Sequence, residues 1–366
     1  MFRKNMEEVL ERNIRFTLDE KKKGALLHIL GIGSGKNADA KSFLAIGGAE
    51  KYAVKPLEMW NFPEESQEYL EACIARDRAR WEIREYLDDD TVPTMKPYYG
   101  IAIHTAFIGG EVTFGANSSY HKPLLDDYQR LDELELREDN RYFRLLLDSM
   151  EYLKKRGKEE GFLPSLRGGD SPLDIANAIR GNDLFLDFYE EEENVERLME
   201  FCLKAARWTW KHQMEAVEEV AGGRMTGQAI WLPGNSIGHL SEDASSMCSQ
   251  EMYETFGKPY LEGLMEDYDS AIIHVHTAGR HNLPPIASVE KMKLIQLEYD
   301  PQQPAPIEVY KANEAILKDK IVVPIMTTDE IEENLEFLAE HKSIVQLYAA
   351  SLEDAERAVN LIRSIR

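Results

Sequence analysis

Eight short apolar runs, separated by longer amphipathic segments, constrain the fold of this chain more than any other feature of its sequence. Apolar runs of about four to eight residues are typical of buried strands, and strands that alternate with helices form parallel sheets. Eight such units in 366 residues predict an α/β fold of the (β/α)8 TIM-barrel class. The predicted strands are residues 25–30, 98–106, 162–166, 224–231, 271–276, 293–298, 321–326 and 344–348.

The segments between these runs have the apolar spacing of amphipathic helices. The predicted helices are residues 64–87, 139–156, 172–180, 195–220, 250–268, 307–318, 329–340 and 352–365. The first 95 residues are less regular, and we expect an N-terminal helical extension there together with the first barrel strand. The glycine-rich residues 31–37 predict a flexible loop after that strand. Residues 1–95 and 96–366 are therefore expected to belong to one structural domain.

The charge balance argues against nucleic acid as the main ligand. The chain has 66 acidic and 43 basic side chains, a formal net charge of −23, and a field of that sign repels a phosphate backbone. Three scattered cysteines are too few for a disulfide framework, so we expect a reducing, cytoplasmic setting. The chain starts with charged residues where a signal peptide would be apolar. No run approaches the roughly 18 apolar residues of a membrane span, so we expect no membrane partner.

The barrel class predicts where chemistry takes place, because TIM-barrel active sites lie at the carboxyl ends of the strands and in the loops that follow. Polar and ionisable side chains are found at these ends. Strand ends are also where the chain leaves the buried core, which by itself favours polar residues. In chain order they are His28, His104, Arg167, Asp170, Trp231, Asn235, His239, His274, His276, Glu298, Asp300, Thr327, Asp329 and Tyr348. We expect a small-molecule substrate to bind among them.

The strand predicted at residues 271–276 reads AIIHVH and is the most informative segment of the chain. Side chains alternate across a strand, so His274 and His276 share the face that points into the barrel. Two imidazoles at this spacing near a strand end can bind one metal ion. The alternative is a pair of hydrogen-bonded structural histidines.

A carboxylate at the end of the next predicted strand favours the metal. Glu298 ends that strand on the inward face, with Gln296 two residues before it and Asp300 two residues after it. Two neutral imidazoles and one carboxylate are a common catalytic zinc set, which leaves a fourth position open for water or substrate. The alternative for Glu298 is an ion pair with Arg280 or Lys293.

Three segments resemble the uroporphyrinogen decarboxylase superfamily, which includes corrinoid-dependent methyltransferases. The first is SPLDIANAIRGNDLFLD at residues 171–187, followed by an acidic turn. The second is the pair Glu242 and Asp243 with SQEMYETFGKPYL at residues 249–261, and the third is IHVHTAG at residues 273–279. The likeness extends from about residue 161 to the C-terminus, and the first 160 residues match poorly. The resemblance implies a (β/α)8 barrel, in agreement with the strand pattern.

The methyltransferase branch of that superfamily holds zinc with a His-x-Cys pair, a glutamate on the next strand and a cysteine near the last strand. By resemblance, His274 lies at the position of that histidine, His276 at that of the first cysteine and Glu298 at that of the glutamate. The last predicted strand has no cysteine, so both thiolate positions are altered. A site without thiolates makes zinc a stronger Lewis acid. The decarboxylase branch has an arginine-rich first strand, and the first strand predicted here has no arginine.

The resemblance favours a metal-assisted methyltransferase that takes its methyl group from a corrinoid carried on a corrinoid-binding protein. His274, His276 and Glu298 are the predicted zinc ligands. The predicted catalytic residues are Asp170, Tyr348 and His104. The predicted substrate-binding residues are Arg167, Trp231, Asn235, His239 and His281. Arg167 is expected to bind an anionic group of the substrate. A homodimer is a family-level expectation. The alternatives are a metal-free decarboxylase or lyase of a small acid or tetrapyrrole, and a barrel that binds a ligand or a corrinoid protein without turnover.

Overall fold

Strands and helices alternate along the chain in the computed structural model, which describes residues 2–33 and 53–366. The strands are β1 (Gly24–Ile32), β2 (Thr94–Met95), β3 (Thr113–Phe114), β4 (Ser119–Tyr120), β5 (Leu163–Pro164), β6 (Gly169–Asp170), β7 (Gly223–Met225), β8 (Trp231–Pro233), β9 (Ile237–Ser241), β10 (Ala271–His276), β11 (Met292–Glu298), β12 (Ile321–Met326) and β13 (Lys342–Ala349). The helices are α1 (Met6–Leu18), α2 (Ser66–Ile83), α3 (Arg141–Glu160), α4 (Pro172–Arg180), α5 (Leu184–Glu190), α6 (Glu192–Ala216), α7 (Gln250–Phe256), α8 (Lys258–Met265), α9 (Leu283–Ser288), α10 (Pro306–Ala312), α11 (Glu314–Leu317), α12 (Thr328–Glu333), α13 (Leu335–Glu340) and α14 (Leu352–Arg363).

A ring of parallel strands closes into a barrel. Seven strands are hydrogen-bonded in the order β1-β13-β12-β11-β10-β9-β6. β5 and β6 belong to one segment of the chain, and β5 pairs in parallel with β2. The ring closes between the β2 segment and β1, where the backbone N–H of Asp90 donates to the carbonyl oxygen of Leu27 at 2.8 Å. The predicted (β/α)8 fold class is confirmed, with α1 as its N-terminal helical extension. The division at residue 95 stays a prediction.

The inward faces of the strands change from apolar to polar along the barrel axis. An apolar layer fills the amino end, and α1 and the β7–β8 hairpin contribute to it. Its members are Phe16, Leu26, Ile230, Leu232, Ile272, Leu294, Ile321, Val323 and Ile344. Two residues further along the same strands lie His28, His274, Gln296 and Gln346, all of them buried. Strand alternation therefore carries polar side chains toward the carboxyl end of the barrel.

The predicted fourth strand is wrong in its position. Residues 224–231 fall in the antiparallel hairpin β7–β8, and the barrel strand is β9, which pairs in parallel with β10 and β6. The physical reason lies in the sequence IGHLS of β9, whose glycine, histidine and serine interrupt an apolar run. The hairpin carries the longer apolar stretch, and it buries that stretch against α1 at the opposite end of the barrel.

The predicted second strand is also wrong. Residues 98–106 contain 3-10 turns at Ile101–His104 and Ala106–Ile108, and the barrel strand is β2. Gly100 has a φ of +82°, which ends the extended backbone before those turns. The side chain of His104 lies outside what the structure describes, as do residues 34–37 of the predicted glycine-rich loop. Within residues 2–33 and 53–366, no helix is both long and apolar enough to cross a membrane.

Candidate functional site

A cavity of about 540 Å³ opens at the carboxyl ends of the strands. Lys96 follows β2, Asp170 ends β6, Ser241 ends β9 and His274 lies near the end of β10, and all four line the cavity. The other ionisable side chains that line it include His121, Arg167, Asp174, His239 and Asp243. The cavity therefore lies on the rim where TIM barrels carry their active sites.

His274, His276 and Asp243 bring three potential ligand atoms together at this rim. Nε2 of His274 lies 3.6 Å from Oδ1 of Asp243, and Nε2 of His276 lies 3.7 Å from the same oxygen. The three ligand atoms all lie within 4.8 Å of one another. Tetrahedral ligands at zinc bonding distance are roughly 3.3 Å apart, so small side-chain shifts would bring these atoms onto one ion.

In each imidazole, Nδ1 donates a hydrogen bond to an oxygen acceptor, so Nε2 keeps its lone pair. Nδ1 of His276 donates to Oδ1 of Asp300 at 2.7 Å, and Nδ1 of His274 donates to Oε1 of Gln296 at 2.5 Å. An amide oxygen and an ionised carboxylate accept hydrogen bonds only, so the hydrogen is on Nδ1 in both rings. Oxygen acceptors behind metal-bound histidines orient the rings in this way in known zinc sites.

A glutamine network gives His239 the opposite tautomer. The side-chain nitrogen of Gln228 donates to Oε1 of Gln296 and to Nδ1 of His239, the latter at 2.8 Å. Nδ1 of His239 is therefore an acceptor, and its hydrogen is on Nε2. The rings of His239 and His274 lie 4.6 Å apart between centroids. The same network thus leaves Nε2 of His274 with a lone pair and Nε2 of His239 with a hydrogen.

Asp174 holds the turn that presents Asp243. Its carboxylate accepts hydrogen bonds from the backbone N–H of Asp243 at 3.0 Å and of Ala244 at 2.7 Å. Burial, followed by the charges of Asp243 and Glu242, raises the pKa of Asp174 well above its usual range. Burial also raises the pKa of Glu242 to about 7. Closely spaced carboxylates repel one another, so this end of the cavity favours a bound cation.

Glu298 lies near the two imidazoles but does not belong to the cluster found among the described residues. Its Oε1 accepts a hydrogen bond from the backbone N–H of Tyr299 at 3.0 Å. Burial raises the pKa of Glu298, while attraction to His274 and His276 opposes that rise. Burial, together with the charge of Glu298, raises the pKa of Tyr348 to about 12. As a metal ligand Glu298 stays a prediction, which requires a movement of its side chain.

Positive charge lies at another part of the same cavity. Arg167 lines it, and Asp170 is near enough to attract the guanidinium. Lys96 is not among the predicted residues, because it follows a strand of only two residues that no apolar run marks. Its Nζ donates to the carbonyl oxygen of Gly227. Burial, and then the charge of Arg167, lowers the pKa of Lys96 to about 7.

Three predicted substrate contacts are not among the residues that line this cavity. Trp231 is only 1% exposed, and its indole N–H donates to the carbonyl oxygen of Val220 at 2.7 Å in the β7–β8 hairpin. Asn235 precedes β9 at its amino end, where its backbone N–H donates to Asp269. Nε2 of His281 donates to a backbone carbonyl oxygen at 2.6 Å. The misplaced fourth strand explains Trp231 and Asn235, since neither lies at the carboxyl end of a barrel strand.

Comparison with known proteins supports the fold and leaves the family open. No protein-family model matches the sequence, and no curated protein matches it. Among solved structures, a methyltransferase from Methanosarcina mazei superposes on the chain with a TM-score of 0.64. The alignment covers 98% of this chain and 98% of that chain at 12% sequence identity. At that identity, the likeness shows a shared fold.

Proposed function

We propose that this chain is a metal-dependent methyltransferase that acts on a small acceptor molecule. One observation carries the proposal: the Nε2 atoms of His274 and His276 and a carboxylate oxygen of Asp243 meet at the rim of the cavity. Both rings have their hydrogen on Nδ1, as a metal ligand through Nε2 requires. The match in fold to a methyltransferase favours this reaction class over others that the barrel supports.

Two imidazole nitrogens and one carboxylate oxygen suit zinc, and they leave a position for a further ligand. A zinc ion held there would supply a Lewis acid, which would lower the pKa of the acceptor group. His239 would donate a hydrogen bond from Nε2 to a group bound beside His274. Asp170, which lines the same cavity, would orient the acceptor and take up its proton.

The methyl donor in this proposal is a corrinoid delivered by a separate protein at the mouth of the barrel. The cavity opens to the surface there, and Ile101 and Tyr120 at its edge are 62% and 58% exposed. The acceptor differs from that of the thiolate-ligated enzymes, since oxygen and nitrogen ligands make zinc a harder Lewis acid. We therefore expect the acceptor atom to be oxygen or nitrogen.

Metal analysis tests the first half of the proposal. Protein purified without added metal should contain about one zinc per chain. His276→Ala and Asp243→Asn should each lose that zinc while they remain folded. His341→Ala is the matched control, because His341 pairs with Glu314 far from the cavity. Zinc retained by both His276→Ala and Asp243→Asn would contradict the assigned ligands, and Glu298→Gln tests the predicted additional ligand.

A methyl-transfer assay tests the second half. Methylcobalamin should be demethylated in the presence of a suitable small acceptor, and removal of zinc should abolish the reaction until zinc is restored. Loss of the methylcobalamin absorbance and mass spectrometry of the methylated acceptor are the two measurements. A metal-free protein that releases carbon dioxide from small acids would instead be a decarboxylase. Ligand binding without either reaction would identify a non-catalytic barrel.

A further inference from the structure

Two cationic side chains face the cavity from neighbouring positions of the barrel. Lys96 follows β2 and Arg167 follows β5, and both line the cavity that also exposes His274. Among the residues that the structure describes, neither side chain has a carboxylate oxygen within the 4.0 Å of an ion pair. Arg167 is only 4% exposed. A buried positive charge with no carboxylate in contact is costly, so such a pair is uncommon unless a ligand completes it.

The backbone around Arg167 fixes its guanidinium in place. The Arg167 N–H donates to the side-chain oxygen of Gln213 at 2.9 Å, and Nη2 donates to the carbonyl oxygen of Gly100 at 3.1 Å. The guanidinium carbon lies 5.3 Å from the centre of the Tyr98 ring. Nε is buried and has no hydrogen-bond partner among the residues that the structure describes. The guanidinium is thus positioned, and part of its donor capacity is unused.

Lys96 lies beside this group. Its Nζ donates to the carbonyl oxygen of Gly227. A Cβ added to Gly227 would lie 3.2 Å from that Nζ and 2.9 Å from the Arg167 carbonyl oxygen, so Gly227 is close to both residues. An ammonium has three donors, and the described contacts of Lys96 account for one of them. In a chain with a net charge of −23, this corner of the cavity is locally positive.

We infer that Lys96 and Arg167 together bind a carboxylate group of the small-molecule substrate. Planar guanidinium donors match the two oxygens of a carboxylate, and the ammonium adds a point charge. The carboxylates of Asp170, Asp174 and Asp243 line the same cavity and disfavour a dianion such as phosphate. A singly charged carboxylate is therefore the ligand class that the charges select.

Lys96 and Arg167 lie near the candidate metal site. That the anion they bind is a substrate rests on the proposed function. Gly168, the next residue after Arg167, packs against His239. A Cβ added to Gly168 would lie 3.0 Å from the His239 carbonyl oxygen. The His239 ring in turn lies 4.6 Å from the His274 ring. A molecule held by its carboxylate at Lys96 and Arg167 can extend its other end toward His274.

Equilibrium binding of propionate tests the inference without turnover. Propionate should bind metal-depleted protein at least about tenfold more tightly than propionamide, its neutral isostere, because only the anion gains charge-assisted hydrogen bonds. NMR titration of the two ligands measures both affinities, and metal depletion prevents propionate from binding zinc. Equal affinities for propionate and propionamide, or tighter binding of inorganic phosphate, would overturn the inference.

Two variants locate the site. Lys96→Met and Arg167→Met should each weaken propionate binding by about tenfold or more, whereas Arg15→Met on the exposed face of α1 should not. Lys96→Met should melt no lower than the wild type, since it removes a buried charge and keeps the side-chain length. If a variant fails to fold, the comparison of propionate with propionamide on the wild type still decides the inference. Propionate binding without methyl transfer would refute the proposed function and leave the anion site standing.

Discussion

Gln296 is the residue whose substitution tests most directly how the candidate metal site is built. It lies on β11 directly opposite His274 of β10 in the register of the sheet. Its Oε1 accepts hydrogen bonds from Nδ1 of His274 and from Gln228, and its Nε2 donates to Oε1 of Gln346 at 2.6 Å. Gln296→Leu keeps the approximate volume of the side chain and removes all three hydrogen bonds.

The size of the effect follows from the groups that lose their partners. Nδ1–H of His274 and Oε1 of Gln346 would both be buried without a hydrogen bond, at about 1 to 3 kcal/mol each. The buried leucine offsets part of this loss by about 1.5 kcal/mol or more. We expect metal-depleted Gln296→Leu to lose about 1 to 4 kcal/mol of unfolding free energy. Zinc should also bind about 10 to 100 times more weakly, because nothing then holds His274 in the Nδ1–H tautomer.

Two measurements and one control separate these effects. Urea unfolding of the metal-depleted protein gives the stability, and competition with a chromophoric chelator gives the zinc affinity. Gln346→Leu is the control, since among the described residues Gln346 makes no hydrogen bond to an imidazole. It should lose stability and keep its zinc affinity within about threefold of the wild type. A folded Gln296→Leu protein with wild-type zinc affinity would refute the tautomer argument and, with it, His274 as a ligand through Nε2.

Three further predictions address groups outside the metal cluster. Burial lowers the pKa of His28 from 6.5 to about 4, so between these pH values the imidazole is protonated in the unfolded chain and neutral in the folded one. The free energy of unfolding should therefore rise by up to about 3 kcal/mol from about pH 4 to 6.5. Urea unfolding across that range should show a smaller rise for His28→Gln, and an unchanged rise would refute this. Burial lowers the pKa of Lys96 to about 7, so its ammonium loses its charge as the pH rises through that value. NMR titration should show that propionate affinity falls over that range in the wild type and does not change in Lys96→Met. Gly100→Ala would place its Cβ 2.0 Å from the backbone nitrogen of Ser119. It should cost about 2 kcal/mol more than Gly222→Ala, where φ is also positive but no atom of the described residues lies within 4 Å of the added Cβ. Equal melting temperatures for the two alanine variants would contradict that collision.

The last four barrel strands are the part of the fold that the sequence predicts well. β10 and β12 have the predicted bounds, β11 begins one residue earlier, and β13 extends two residues before and one residue beyond its predicted bounds. These strands are buried on both faces over most of their length, so each reads as a predominantly apolar run between helices. Their register also follows from the pattern, since the inward alternation of β10 places His274 and His276 on one face as predicted.

The second and third positions of the ring, which are β2 and the segment of β5 and β6, carry too little regular structure to be marked by any run. β2, β5 and β6 each consist of two residues, and the chain around them is held by turns and side-chain hydrogen bonds. Arg84, for example, donates to the carbonyl oxygen of Ile29 at 2.7 Å and forms an ion pair with Asp89, which ties the β2 segment to β1. Contacts between residues so far apart in the sequence leave no local periodicity, so Lys96 cannot be recognised from it.

Asp243 shows how an error in one strand carries over to the site. If the fourth strand were residues 224–231, its carboxyl end would lie at Trp231 and Asn235, and the next carboxylate along the ring would be Glu298. With the strand at β9, the carboxyl end is Ser241, and Asp243 follows within two residues at the side of β10 that carries both imidazoles. Asp243 lies in a segment that carries the family resemblance, yet that resemblance gives it no role. The candidate third ligand therefore follows from which strand is the neighbour of β10, and only the hydrogen-bonded strand order establishes that neighbour.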